Sequence, residues 1–155
     1  MIIIDPNLDG ISHVNIYSQG KTQIGRMLSN FYHYKILTSD GYFNSVEGYW
    51  YWLGINDCKE KEILRDLFGY QAKKKGNELK QHFGNRTEED FENKILKAIW
   101  YKVKRHSNMF KNEIAILPFE HYYNFGGKIV DVKNKYIWMI DGIDKMREHI
   151  LSNNI

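Results

Sequence analysis

The stretch Ser45-Val46-Glu47-Gly48-Tyr49-Trp50-Tyr51-Trp52 sets a single carboxylate in a run of aromatic side chains. A carboxylate in such surroundings is costly to bury unless it is paired or put to use. Glu47 has two readings: a first-turn helix residue favoured by the helix dipole, or a group for acid–base and electrostatic chemistry. A second place of interest is Leu28-Ser29-Asn30-Phe31, shortly after Arg26. Ser29 and Asn30 either close a helix end or offer neutral hydrogen bonds to ribose hydroxyls. Arg26 is suited to a bidentate phosphate contact. Other patterns carry less. Gly20-Lys21-Thr22 lacks the glycine that a phosphate loop needs five residues earlier, where Asn15 stands, so it reads as a surface turn. The six histidines show no zinc-site spacing, the single cysteine Cys58 supplies no thiolate cluster, and no nucleophile elbow or dinucleotide fingerprint occurs. Lys73-Lys74-Lys75 is a solvated helix face or a phosphate contact.

Positioning these residues requires the following elements. Val14-Asn15-Ile16-Tyr17 alternates as a short strand, and 22–28 reads as a helical turn. Asp40-Gly41 between Ile36-Leu37 and Tyr42-Phe43 signals a hairpin. Asn44-Ser45 is a helix cap ahead of a helix over 46–53. Ile63, Leu64 and Leu67 predict a helix over 60–68 stopped by Gly69, and a second over 71–81 follows. Thr87-Glu88-Glu89-Asp90 resembles a capping box opening the longest helix, where Phe91, Ile95 and Ile99 recur every four residues. A helix over 109–117 ends before Pro118. Residues 122–127 form an aromatic, glycine-punctuated loop, Ile129-Val130-Asp131 a brief extended piece, and 136–151 a closing helix. The expected class is α+β, predominantly helical, with a small β element near the N-terminal third.

With 155 residues, 43% hydrophobic and 26% charged, the chain is expected to fold as one domain over 1–155 rather than to be disordered. Two prolines suit long helices. A lone cysteine excludes an internal disulfide. The start Met1-Ile2-Ile3-Ile4-Asp5 lacks the basic lead of a signal peptide, and no apolar run approaches a membrane span. The expected setting is cytoplasmic, with no membrane partner. A net charge of +3 is too mild for a long nucleic-acid footprint and compatible with a phosphate-bearing small ligand.

Several motifs taken in order resemble the NADAR family, also called YbiA-like or swarming-motility-like. They are Asn15-Ile16-Tyr17-Ser18, Leu28-Ser29-Asn30-Phe31, Asp40-Gly41-Tyr42-Phe43-Asn44-Ser45-Val46-Glu47 with Tyr49, Ala72-Lys73-Lys74-Lys75-Gly76, the helix over 91–105, and His121-Tyr122-Tyr123-Asn124-Phe125-Gly126-Gly127. The likeness spans residues 14–148 and implies a YbiA-like single domain. It also implies hydrolysis of an N-glycosidic bond to ribose, since family members include N-glycosidases of riboflavin-pathway intermediates and hydrolases that remove ADP-ribose from modified nucleobases. Carried over by position, Glu47 falls on the family's active-site glutamate, and Ser29, Asn30 and Phe31 on its Ser-Asn-Phe. The chain departs from the family in three places. Gly48 replaces the usual histidine, Tyr51-Trp52 replaces Gln-Ala, and the late loop lacks its Trp-Gly-Asp, with Asp131 the nearest aspartate.

Cleaving a ribose–nitrogen bond passes through an oxocarbenium-like state, which a fixed carboxylate stabilises while orienting or deprotonating water. Trp50 and Phe125 are candidates for stacking on the base, and Arg26, Ser29, Asn30, Phe31 and Asp131 for binding substrate. No metal or cofactor is required. Partners implied are a small-molecule or nucleotide substrate bearing ADP-ribose or ribose phosphate, and ADP-ribosylated nucleic acid. Two alternatives stand beside this reading. One is a non-catalytic sensor of ADP-ribose or NAD. The other is a nucleic-acid module using Lys73–Lys75, Lys102, Lys104 and Arg105.

Overall fold

The computed structural model describes residues 3–153; Met1 and Ile2, which open the apolar N-terminal start, lie outside them. In chain order the elements are strand β1 (Val14–Asn15), helix α1 (Gln23–Leu28), β2 (Ile36–Thr38), β3 (Gly41–Phe43), α2 (Val46–Gly54), α3 (Gly69–Phe83) and α4 (Phe91–Arg105). After these come β4 (Phe119–Glu120), β5 (Tyr122–Phe125), β6 (Lys128–Asp131) and α5 (Ile137–Asn153), with short 3-10 helices between them. The class is α+β, with helix in the majority and strands only in two-stranded pairs. Strands are not confined to the N-terminal third, since β4, β5 and β6 all follow Pro118. No helix of the described residues is long and apolar enough to cross a membrane.

The chain gathers into two compact units, one formed by the stretch up to Ser29 with Val103 onward, the other by Asn30–Lys102. In the first, β1 runs parallel to β4, Val14 opposite Phe119 and Asn15 opposite Glu120. The Asn15 side chain clamps the next strand: Nδ2 donates to Tyr122 O and Oδ1 accepts from Tyr122 N–H, each at 2.9 Å. Thr22 caps α1 by accepting from Gly25 N–H, and the Asp9 carboxylate accepts from Lys21 N–H at 2.8 Å. The Gly20-Lys21-Thr22 segment is thus a helix-capping turn whose amide is already satisfied. Residues 122–127, expected as a loop, form β5 and the turn into β6, with Tyr122 paired to Asp131 and Phe125 to Lys128. The expected helix over 109–117 is two separate 3-10 turns, Ser107–Phe110 and Glu113–Ile116. On α5 the inward positions Met139, Ile140, Ile143, Arg147 and Ile150 recur at helical spacing. Arg147 is buried because its guanidinium donates to Ala115 O and Leu117 O and covers the Phe119 ring.

In the second unit the hairpin has the register Ile36–Phe43, Leu37–Tyr42 and Thr38–Gly41. Its turn residues are therefore Ser39 and Asp40, one position earlier than the Asp-Gly pair suggests, and Gly41 follows at φ +101°, a conformation that suits glycine. The 60–68 region is a 3-10 helix, Lys59–Asp66, rather than an α-helix. Gly69 begins α3 instead of stopping the preceding element. A glycine in the left-handed region marks a sharp reversal, and that reversal here leads into a helix. The longest helix is α5, not α4. Ahead of α4 the Glu88 carboxylate is drawn into ion pairs with Arg86 and Lys94.

Candidate active site

The helix that carries Glu47 is fastened at its start by Ser45. Its Oγ accepts from Gly48 N–H at 3.0 Å and donates to Leu67 O at 2.9 Å. This one hydroxyl caps α2 and ties it to the chain that follows the Lys59–Asp66 turn. Glu47 N–H, one of the helix-start donors without an intrahelical acceptor, donates to Asn30 O at 2.9 Å. Two residues singled out by sequence thus meet through the backbone. Phe31 is fixed next to them, its carbonyl accepting from Gly69 N–H at 3.1 Å.

The packing of α2 on α3 sets what surrounds the Glu47 side chain. Gly76 presents no side chain, and a Cβ there would lie 2.2 Å from the Tyr51 ring. That ring therefore occupies the space over Gly76, and its hydroxyl donates to Asn77 Oδ1 at 3.2 Å. One turn earlier on each helix, Glu47 feels the charge of Lys73. Farther on, Asn56 Nδ2 donates to Phe83 O. The two helices advance side by side, and the Ala72-(x)3-Gly76 spacing leaves the groove that Tyr51 fills. Gly48 has an equally steric explanation: a Cβ would lie 2.4 Å from Leu64 O. No side chain fits there while the 3-10 turn holds its place.

Burial decides the electrostatics. The Glu47 side chain is partly buried, and desolvation pushes its carboxyl from 4.5 up to about 7, with the Lys73 ammonium pulling the other way. A carboxyl at that value holds both protonation states near neutrality, the condition that general acid–base work favours. Trp50, on the same stripe at i+3, is partly buried and meets the Phe91 ring edge-on at 4.9 Å. Tyr49 turns to the other side of α2 and donates to Asp40 Oδ2 at 2.7 Å, where the Lys94 ammonium also pairs. Burial, with Asp40 beside it, pushes the Tyr49 phenol up to about 12, so it serves as a fixed donor.

The remaining candidates belong to the first unit. Arg26 Nη1 donates to Gly20 O at 2.8 Å. Ser29 is buried at the C-terminus of α1, its N–H on Arg26 O. Phe125 is 61% exposed at the end of β5, and Asp131 is exposed with Oδ1 accepting from Lys133 N–H. The buried histidines of this unit are engaged: His13 Nε2 with Tyr122 Oη at 2.6 Å, and His121 Nδ1 with Ile16 O at 2.7 Å. Among the described residues no three His, Cys, Asp or Glu side chains gather as a metal site would need.

Two buried lysines escaped the sequence reading. Lys102 is 1% exposed, faces the Tyr32 ring at 5.8 Å, and is pushed down from 10.5 to about 7 by burial. It therefore does not belong to a basic surface with Lys104 and Arg105, which are exposed. Its signal was available, because it continues the Ile95–Ile99 stripe on the inward face of α4. Lys61 is also buried; its ammonium donates to Trp52 O and Ile55 O and pairs with Asp57. It closes the C-terminal end of α2, where a cation suits the dipole. No family model, curated protein or solved structure matches this chain.

Proposed function

We propose that this protein hydrolyses an N-glycosidic bond to ribose, with Glu47 as the key carboxylate, and that it has the YbiA-like fold of the NADAR family it resembles. The favoured substrates are a nucleobase carrying ADP-ribose or another ribosylated base, met in the cytoplasm. The observation that carries this reading is the recessed Glu47 carboxyl near neutrality, anchored through its own N–H to Asn30. In the reaction the bond between C1′ and the base nitrogen breaks, water supplies the hydroxyl to C1′, and the proton ends on the departing base. Ionised Glu47 opposes the positive charge growing at C1′ and accepts the proton of the attacking water. In a water-poor site such a charge contributes on the order of 3 kcal/mol of barrier lowering. Lys73 helps keep Glu47 ionised and offers a cation to a substrate phosphate. Phe31 and Trp50, in the same unit as Glu47, are the proposed substrate contacts on the strength of the resemblance.

Two measurements test this. Glu47→Gln keeps the shape and removes the charge, so turnover of ADP-ribosylated guanosine or a ribosylamino-pyrimidine phosphate falls at least ~100-fold; an unchanged rate removes Glu47 from the chemistry. Because the working form is the carboxylate, kcat/KM of the wild type falls about tenfold per pH unit below an apparent value near 7. A profile flat from pH 5 to 8 contradicts a base of that kind. The sensor reading is favoured by the side-chain-free position at Gly48; calorimetric ADP-ribose binding with no cleavage of any N-riboside would select it.

A further inference from the structure

The second unit carries a surface of exposed rings and cations of which the proposed chemistry uses Lys73 alone. The His33 and Phe68 rings stack face to face, 4.0 Å between centroids with planes within 1°. Both are exposed, Phe68 at 41%. The pairing is held from below, since the Gly69 N–H bond to Phe31 O ties the segment bearing His33 to the start of α3. Tyr70, 68% exposed, stands in the first turn of α3. Lys73 and Lys74 follow at i+3 and i+4, the positions that share its face, and both are exposed.

Large rings left in water beside ammonium groups mark a contact surface rather than a core. We infer that this surface binds single-stranded nucleic acid, with the His33–Phe68 stack and Tyr70 receiving base faces and Lys73 and Lys74 receiving phosphates. The occupant follows from the chemistry. Flat rings accept any base face, ammonium groups accept phosphate without reading sequence, and only an unpaired strand has its base faces open. The charge complement is small, two lysines on a chain of net charge +3, so the footprint is two or three nucleotides. Because Lys73 is also the cation that Glu47 feels, a strand held there runs past the Glu47 carboxyl. The inference goes beyond the proposed hydrolysis and stands or falls without it, because it concerns binding of an unmodified strand.

The test is fluorescence anisotropy with the intact protein and labelled ~10-nucleotide strands of deoxyadenylate and of adenylate, beside a duplex of the same length. The expected result is binding of the single strands, with the duplex at least ~10-fold weaker, and a log–log salt slope of about −1.4 for two phosphates. Preference for either sugar supports the inference and tells DNA from RNA. Phe68→Leu and Tyr70→Leu each weaken binding at least ~5-fold, whereas Tyr70→Phe, which keeps the ring, retains it. Absence of single-strand binding, equal binding of the duplex, or leucine variants that bind like the wild type would each overturn it.

Discussion

Because burial holds the Glu47 carboxyl near 7 while the unfolded chain ionises it at 4.5, the group that serves chemistry weakens the fold. The folded value is the higher one, so this contribution to stability is fully present below pH 4.5 and is lost as pH rises through 7. Glu47→Gln removes the charge, and the variant should exceed the wild type in stability by about 3 kcal/mol at pH 8, with the difference vanishing at pH 4. Urea melts at the two pH values read this directly. A Gln variant no more stable than wild type at pH 8 would place Glu47 in an ordinary, solvated environment. Such a trade between stability and activity is common at functional sites. The candidate site was legible at this scale in one respect: a carboxylate two positions past a serine cap, in an aromatic run, signals a costly charge. The neutralising field of Lys73 was not, because it depends on how α3 lies along α2.

At the scale of elements, two helix glycines have steric causes. Gly48 is fixed by the Leu64 carbonyl and Gly76 by the Tyr51 ring. In an exposed helix, Gly→Ala gains up to about 1 kcal/mol; here Gly48→Ala and Gly76→Ala should each lose about 1–3 kcal/mol through overpacking. For Gly76→Ala the loss should shrink when Tyr51 is also truncated to Ala, a coupling that a double-mutant cycle measures. Additive effects would mean that Tyr51 does not fill that groove. The Ser45 cap, the hairpin and the α4 stripe were readable because each rests on local chemistry: a side-chain oxygen at a helix start, a turn pair, an apolar period. The 60–68 and 109–117 segments were misread because 3-10 and α-helices share the i, i+3 spacing, and hydrogen-bond tightness leaves little trace in residue type. Gly69 was misread because a positive φ serves both to end a helix and to turn the chain into one.

For the molecule as a whole, the first unit draws on both ends of the chain, and its β1–β4 pairing carries no local signature. Val14 N–H bonds to Pro118 O and Ile16 N–H to Glu120 O, both at 2.9 Å, while Asn15 clamps Tyr122. Asn15→Ala leaves two buried backbone groups of Tyr122 without partners, at a cost of about 2–4 kcal/mol. A loss below about 0.5 kcal/mol would show that water replaces the clamp. The strands after Pro118 were the least legible part for the same reason, since an aromatic, glycine-punctuated run becomes β5 only through its partner β6. The whole account is tested most directly by incubating the protein in oxygen-18 water with an oligonucleotide carrying ADP-ribose on a base, and weighing the products. It predicts release of ADP-ribose with the heavy oxygen at the anomeric carbon and restoration of the unmodified strand, both lost in Glu47→Gln; intact substrate, or equal release by the two proteins, would contradict it.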